Sequence, residues 1–268
     1  IHGAHRSNRV FQKSTDNGRT FSAPVSYLKT KQIEGTKAHP VIYDSWYTHY
    51  SKGENNDVII SYNYHVCKGP KHDGERHNVY YMRFDTDKNE WYNIKGDKLT
   101  LPITKEQADN STLVYDTGDL WTHNGIVRLD DKGNPHITSY EGEHKGLKHG
   151  GEKSIVYYYW SGNEWVRTES SGLPIGAKGE MEVLSSDKIN MLISYKEDNI
   201  GEVALWESTN GGKSFTKKEI LLQAENKNFD LSNFITNAKP EGKIIVAAKD
   251  KSGNGNVYLV GEKGVVKR

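Results

Sequence analysis

A short turn motif occurs twice in this chain and limits its possible folds more than any other feature. Residues 14–21 read Ser-Thr-Asp-Asn-Gly-Arg-Thr-Phe, the S-x-D-x-G-x-T-F pattern known as the Asp box, and residues 208–215 repeat it with Asn210 at the acidic position. In such a turn the Asp or Asn side chain caps its own backbone and a glycine takes a positive φ. Each copy therefore predicts a β-hairpin turn closed by an aromatic residue tucked under the next strand.

Two degenerate copies of the turn lie between these, at residues 85–91 and 160–165, and each ends in tryptophan. The closing aromatic residues are 70, 74 and 50 positions apart in the order Phe21, Trp91, Trp165, Phe215. Repeated spacing of this length indicates one supersecondary unit per turn.

Segments rich in β-branched and aromatic residues predict paired strands around these turns. They are Val58–Tyr64, Val79–Phe84, Pro135–Tyr140, Ser154–Trp160, Ile189–Tyr195, Glu202–Glu207, Lys243–Ala248 and Asn256–Gly261. No convincing amphipathic helix interrupts them. Four-stranded units repeated around an axis predict an all-β fold, a β-propeller, and the alternative is a β-sandwich.

The two ends of the chain fit differently into this repeat. The residues before Phe21 supply only the third strand of a blade, Arg9–Lys13, whereas residues 234–267 are enough for four short strands. We therefore expect one domain over residues 1–268 that starts in the middle of a blade, lacks sequence upstream of Ile1, and holds about four and a half blades.

Composition excludes several partners. The 36 basic and 35 acidic residues leave a net charge of +1, so no global field would attract nucleic acid or an anionic membrane. No apolar run approaches the roughly 20 residues that span a bilayer. Cys67 is the only cysteine, which excludes an internal disulfide and leaves a buried thiol or a metal ligand.

In a propeller blade the loops that join the second strand to the third, and one blade to the next, gather on the face opposite the Asp-box turns, so we expect the functional groove there. Several histidines fall in those predicted loops. The candidates for lining the groove are His5, His123, Asn124 and His144.

One predicted loop resembles a metal site. It carries His65, Cys67, His72 and His77, and tetrahedral zinc prefers imidazole nitrogen and thiolate sulfur. Four protein ligands leave no open position, so the predicted zinc would be structural. The alternative is a solvated loop with an incidental cysteine.

The same loop supports one chemistry in particular. Breaking a uronic-acid polysaccharide by β-elimination needs a cation on the carboxylate, a base for the C5 proton and an acid for the leaving oxygen. Arg76, beside His77, is the candidate for the carboxylate. Tyr62 and Tyr64 share one side of a strand and are candidates for the proton transfers, the alternative being ordinary strand packing.

Taken together, the Asp boxes, the D-x-x-G-x-P-H segment at residues 130–136 and the Tyr–His/Cys–Arg arrangement resemble the BNR-repeat propellers of the ulvan lyase families. The resemblance implies a seven-bladed propeller when complete, cleavage of an anionic polysaccharide, and a bacterial secreted or periplasmic protein; we expect a monomer. It maps the tyrosine to Tyr64 or Tyr62, the arginine to Arg76 and zinc to the His65–His77 loop. The family's histidine would precede Ile1, which leaves His5 as the nearest candidate.

Two other functions remain open at this point. A sialidase-like glycoside hydrolase would need an arginine triad and a Tyr–Glu pair, and eight arginines show no such triad. A non-catalytic glycan-binding propeller would show aromatic residues and histidines without an arginine and a tyrosine poised together.

Overall fold

The computed structural model describes residues 7–36, 39–68, 73–143, 151–168, 170–249 and 255–267. In those ranges the chain forms β-strands and one short helix, which confirms the all-β class. None of the helices that the described residues form is long and apolar enough to cross a membrane. The chain divides into two compact units, Ile1–Val127 with Gly142–Gly151 and Arg128–Glu141 with Glu152–Arg268. The single domain over residues 1–268 stays a prediction.

The first unit contains two hairpins and a larger sheet. Its strands are β1 (Arg9–Phe11), β2 (Val25–Leu28), β3 (Gln32–Thr36), β4 (His39–Tyr43), β5 (Ser45–Lys52), β6 (Asp57–Lys68), β7 (Asp73–Asp85), β8 (Glu90–Tyr92) and β9 (Leu113–Tyr115), with helix α1 (Lys105–Ser111). β1 pairs with β2 and β3 with β4, while the larger sheet runs β5-β6-β7-β8 with β9 added against β7.

The second unit is built from antiparallel sheets whose strands follow chain order. They are β10 (Trp121–Leu129), β11 (Pro135–Gly142), β12 (Ser154–Trp160), β13 (Trp165–Thr168), β14 (Lys178–Val183), β15 (Ile189–Glu197), β16 (Ile200–Ser208), β17 (Thr216–Glu225), β18 (Asn228–Lys239), β19 (Gly242–Lys249), β20 (Gly255–Gly261) and β21 (Gly264–Lys267). Of β10, only the last two residues belong to the second unit. The sheets run β10-β11-β12-β13, β14-β15-β16-β17 and β18-β19-β20-β21. Successive four-stranded meanders are propeller blades, and the predicted propeller class is confirmed.

Both Asp-box turns have the predicted hydrogen bonds. Asp16 Oδ1 accepts from the backbone N–H of Thr20 at 2.9 Å, and Asn210 Oδ1 accepts from that of Ser214 at 3.1 Å. The glycines take positive φ as expected. The closing aromatics differ, because Phe215 is 3% exposed whereas Phe21 is 61% exposed. The expectation that Phe21 is tucked under a strand is therefore wrong in this structure.

Two other differences from the sequence predictions concern the β6–β7 hairpin and a helix. β6 ends at Lys68 and β7 begins at Asp73, so the predicted loop is largely part of the two strands. His65, Cys67 and His77 therefore lie on strands instead of in a loop. The structure also contains the helix α1, which was not predicted from the sequence. Its start carries a capping box, in which the Thr104 side chain accepts from the N–H of Gln107 and the Gln107 side chain accepts from that of Thr104.

Aromatic side chains dominate the core of the first unit. Trp46, Tyr62, Tyr80, Met82 and Trp91 are buried there and pack together. Because these residues come from β5, β6, β7 and β8, one face of the larger sheet packs into this core.

Candidate functional site

The β6–β7 hairpin decides which predicted site residues can meet. Tyr62 pairs with Tyr80 but Tyr64 pairs with His77, so the register shifts by one residue between them. Asn78 lies at this point with φ 64°, the left-handed conformation of a residue in a β-bulge. Beyond the bulge His65 pairs with Arg76. Since cross-strand partners share a face and neighbours alternate, Tyr64 and His77 lie on one face and His65 and Arg76 on the other.

Tyr62 and Tyr64 face the core. Both rings pack on Trp46, with centroid distances of 5.5 and 4.9 Å, so the expectation that they share a side of the strand is confirmed. The Tyr62 hydroxyl is hydrogen-bonded to the Thr112 hydroxyl, and burial raises the pKa of Tyr62 above its usual value. Tyr64 donates to the carboxylate of Asp44 and is 6% exposed. The structure brings neither hydroxyl to Arg76.

Arg76 instead joins a group of aromatic residues on the opposite face. Its guanidinium carbon lies 4.2 Å from the ring centroid of Tyr47 and 5.3 Å from that of Trp121. Such short distances are in the range of cation–π interactions. The guanidinium thus contacts both rings, and these contacts restrict its orientation.

Three histidines complete this group. The ring centroid of His65 lies 5.0 Å from that of Tyr47, and the ring of His123 lies 6.0 Å from Tyr47 and 5.8 Å from His49. We call the set the His–Tyr–Arg cluster, and it consists of Tyr47, His49, His65, Arg76, Trp121 and His123. It lies within the first unit.

The hydrogen bonding of Arg76 differs from that of other arginines. Arg83 is paired with Asp57, Arg128 with Glu180, and Arg167 with Glu141. The buried Nε of Arg76 has no hydrogen-bond partner among the described residues. A buried donor without an acceptor is costly unless a ligand supplies one, so this guanidinium is suited to bind an external carboxylate.

Burial also acts on the imidazole of His49. Burial lowers the pKa of His49 below 6.5. A lowered pKa keeps the imidazole neutral at neutral pH, so at that pH His49 can accept a proton.

Three members of the cluster were not predicted from the sequence, namely Tyr47, His49 and Trp121. Tyr47 and His49 alternate on β5, which is the first strand of its blade, and a period-two pair of polar aromatics on a first strand was the available signal. Trp121 stands two residues before His123 on β10. Neither signal shows by itself that these side chains belong to the same cluster as Arg76.

Of the four predicted zinc ligands, the structure describes the side chains of His65 and His77. His65 and His77 lie on opposite faces of the hairpin, and the two ring nitrogens of His77 contact the carbonyl of Gly118 at 3.1 Å and the carboxylate of Glu75 at 3.3 Å. The four-ligand zinc site stays a prediction. Among the residues that the structure describes, no three His, Cys, Asp or Glu side chains gather around a common point.

Other predicted residues lie outside the described part of the chain. His5, His72 and His144 are among the residues that the structure does not describe, and so are the side chains of Cys67 and Asn124. Of the predicted groove and catalytic residues, the structure thus brings Arg76 and His123 together, and it adds His65, which had been predicted as a metal ligand.

Comparisons with known proteins agree with the fold. An ulvan lyase of Nonlabens ulvanivorans is 41% identical over 276 residues, and the match covers 100% of this chain and 57% of the relative. An ulvan lyase of Alteromonas sp. (strain LOR) is 42% identical, and the match covers 100% of this chain and 56% of the relative. A solved polysaccharide lyase PL25 ulvan lyase has a TM-score of 0.89 and 41% identity, covering 100% of this chain and 62% of that one. A second structure, bound to -[GlcA(1-4)Rha3S]-, matches equally well. The chain thus spans less than two thirds of these relatives.

The family assignment rests on a separate match. The model of the BNR repeat-containing family matches residues 7–172, more than half of the chain, and this range includes the first Asp box and the whole His–Tyr–Arg cluster. The chain is therefore a member of the BNR repeat-containing family.

Proposed function

We propose that the protein is a polysaccharide lyase that cleaves a uronic-acid polymer such as ulvan by β-elimination, with Arg76 binding the uronate carboxylate. The observation that carries the proposal is the buried Arg76 Nε, which has no acceptor among the described residues and lies within a cluster of His and Tyr side chains. Ulvan lyases that match the whole chain at 41–42% identity support the reaction class.

Arg76 acts on the acidity of the substrate. Abstraction of the C5 proton builds negative charge that spreads onto the adjoining carboxylate, and a guanidinium on that carboxylate stabilises it. The rings of Tyr47 and Trp121 hold the guanidinium in place before the substrate arrives, so little reorganisation is needed during the reaction.

Proton transfer belongs to the ionisable groups beside Arg76. The base takes the C5 proton, the C–H electron pair forms the C4–C5 double bond, the C4–O bond breaks, and an acid protonates the leaving oxygen. Tyr47 contacts the guanidinium, His123 lies beside Tyr47, and His49 lies beside His123. We assign the two transfers to these three side chains. Tyr62, Tyr64 and His5 are the alternative assignments from the sequence.

We keep a structural zinc in the β6–β7 hairpin as part of the proposal. Its candidate ligands are His65, Cys67 and His72, while the contacts of His77 make it the weakest of the four. The zinc would hold the end of the hairpin that carries Arg76 and would take no part in proton transfer. His144 and Asn124 remain proposed substrate contacts, and secretion or a periplasmic location remains part of the same hypothesis.

The test is the ultraviolet absorbance of unsaturated uronates released from ulvan. Arg76→Ala should lower kcat by about 100-fold or more, the order found when one stabilising donor is removed. Arg76→Lys is the matched control, because it keeps the positive charge and loses the bidentate hydrogen bonding of the planar guanidinium. Tyr47→Phe compared with Tyr64→Phe and Tyr62→Phe assigns the tyrosine.

Each result has a definite meaning. Loss of activity in Tyr47→Phe with activity retained in the other two variants supports the cluster, and the reverse supports the tyrosines on the core face. No absorbance on any uronate polymer would overturn the lyase. Reducing ends without unsaturated products would then indicate a hydrolase, and binding without cleavage would indicate a glycan-binding module.

A further inference from the structure

We propose that a lysine-lined cavity in the first unit, separate from the His–Tyr–Arg cluster, binds the sulfate ester groups of the polymer. The cavity has a volume of about 330 Å³ and lies between residues 29–32, after β2, and residues 104–106, where α1 begins. It does not include any member of the His–Tyr–Arg cluster. This inference rests on the proposed function, because it adds a recognition site for the same anionic substrate.

The backbone around the cavity is held in place by hydrogen bonds. The N–H of Lys29 donates to the carbonyl of Ile103 at 2.9 Å, and the N–H of Asp44 donates to the carbonyl of Lys31 at 2.9 Å. The indole of Trp46 donates to the carbonyl of Lys29 at 2.9 Å. Because Trp46 directly precedes Tyr47 on β5, the cavity wall is joined to the strand that carries the cluster.

The charges of the cavity favour an anion. Lys29 and Lys31 are exposed, and neither forms an ion pair with a described residue. The ammonium of Lys105 is paired with both carboxylate oxygens of Asp109 at 2.6 Å, and Glu106 contributes a negative charge to the lining. Two cations, Lys29 and Lys31, are therefore left without a carboxylate partner in the described part.

The type of cation distinguishes this cavity from the cluster. A guanidinium such as that of Arg76 matches the planar, bidentate geometry of a carboxylate, whereas a lysine ammonium is a compact charge with three rotatable donors. A tetrahedral sulfate ester presents its oxygens in several directions and needs no planar fork. The oligosaccharide bound to one relative carries both groups, a carboxylate on GlcA and a sulfate on Rha3S.

The experiment compares native with chemically desulfated ulvan. The variant is Lys29→Ala/Lys31→Ala, and the control is Lys196→Ala/Lys213→Ala, which removes the same charge from two exposed lysines of the second unit. On native ulvan the variant should raise KM about fivefold, the order expected for two exposed charge contacts, and should leave kcat unchanged. On desulfated ulvan it should match the unmodified protein.

Three results would overturn the sulfate site. They are an unchanged KM on native ulvan, an equal rise on both polymers, which assigns the lysines to carboxylates, and an equal rise in the control, which shows a general charge effect. If the unmodified protein releases no unsaturated products, the proposed function fails and the site is tested by retardation in gels containing native or desulfated ulvan. Weaker retardation of the variant in native ulvan alone would then support the sulfate site.

Discussion

The two successive glycines of the second Asp box offer a sharp test of how this fold uses its turns. Gly211 and Gly212 both have positive φ, 71° and 78°. A Cβ at Gly212 would lie 2.3 Å from Cδ1 and 2.5 Å from Cε1 of Tyr157, whereas a Cβ at Gly211 would have its nearest contact at 3.5 Å, to the carbonyl oxygen of Ser186. The two positions therefore share the backbone requirement and differ in the space available.

These contacts set the expected magnitudes. An alanine in the left-handed region costs about 1 kcal/mol, which is the whole expected effect of Gly211→Ala. Gly212→Ala adds the cost of overpacking against the fully buried ring of Tyr157, about 2 kcal/mol, for a total of about 3 kcal/mol. The ring cannot move freely, because its hydroxyl is hydrogen-bonded to Nδ1 of His136.

Urea unfolding followed by tryptophan fluorescence measures the difference. With a slope of about 3 kcal/mol/M, the midpoint should fall by about 0.3 M in Gly211→Ala and by about 1 M in Gly212→Ala. Equal midpoints in the two variants, with unchanged slopes, would refute the argument that contact with Tyr157 requires glycine at position 212.

Three further predictions concern pH and metal. Hydrogen bonds from Thr20 lower the pKa of Asp16 from 3.8 to about 2. The ionised Asp16 carboxylate therefore stabilises the fold above pH 3.8, and this stabilisation is lost as the pH falls toward about 2. Asp16→Asn, which copies Asn210, should reduce the change in the urea midpoint over that range. Burial lowers the pKa of His136 below 6.5, so stability is lost as pH falls below 6.5, and His136→Gln should flatten the fall in midpoint between about pH 7 and about pH 5; an unchanged slope would contradict this. Elemental analysis should find zinc that Cys67→Ser loses, and its absence from the purified protein after expression with zinc would exclude the metal centre.

The turns and strands could be predicted from the sequence because both depend on nearby residues. The Asp-box side chains bond to backbone groups four positions away, as Asp16 does with Thr20, and strands such as β15 and β16 are short runs rich in β-branched and aromatic residues within a single segment. α1 was missed although its capping box, Thr104 and Gln107, is also local. The helix has only seven residues, which is too short for a clear helical periodicity.

The candidate site could be predicted only in part. Arg76 and His123 were found because arginine and histidine are uncommon side chains with a chemical use in a predicted loop. Tyr47 was missed because a tyrosine on a strand is usually a packing residue, and only the contact with Arg76 at 4.2 Å gives it a candidate role. The exposed ring of Phe21 likewise shows that a closing aromatic follows the pattern without necessarily being covered.

The sequence by itself determined the blade as the building unit, the hairpin turns and the family resemblance, since these depend on patterns read along the chain. Tertiary structure decided which face each candidate occupies. The bulge at Asn78 shifts the pairing by one residue, which places Tyr64 opposite His77 and His65 opposite Arg76. Because side chains alternate along a strand, a shift of one residue exchanges the faces of everything beyond it, and such a shift depends on the partner strand instead of on either strand alone.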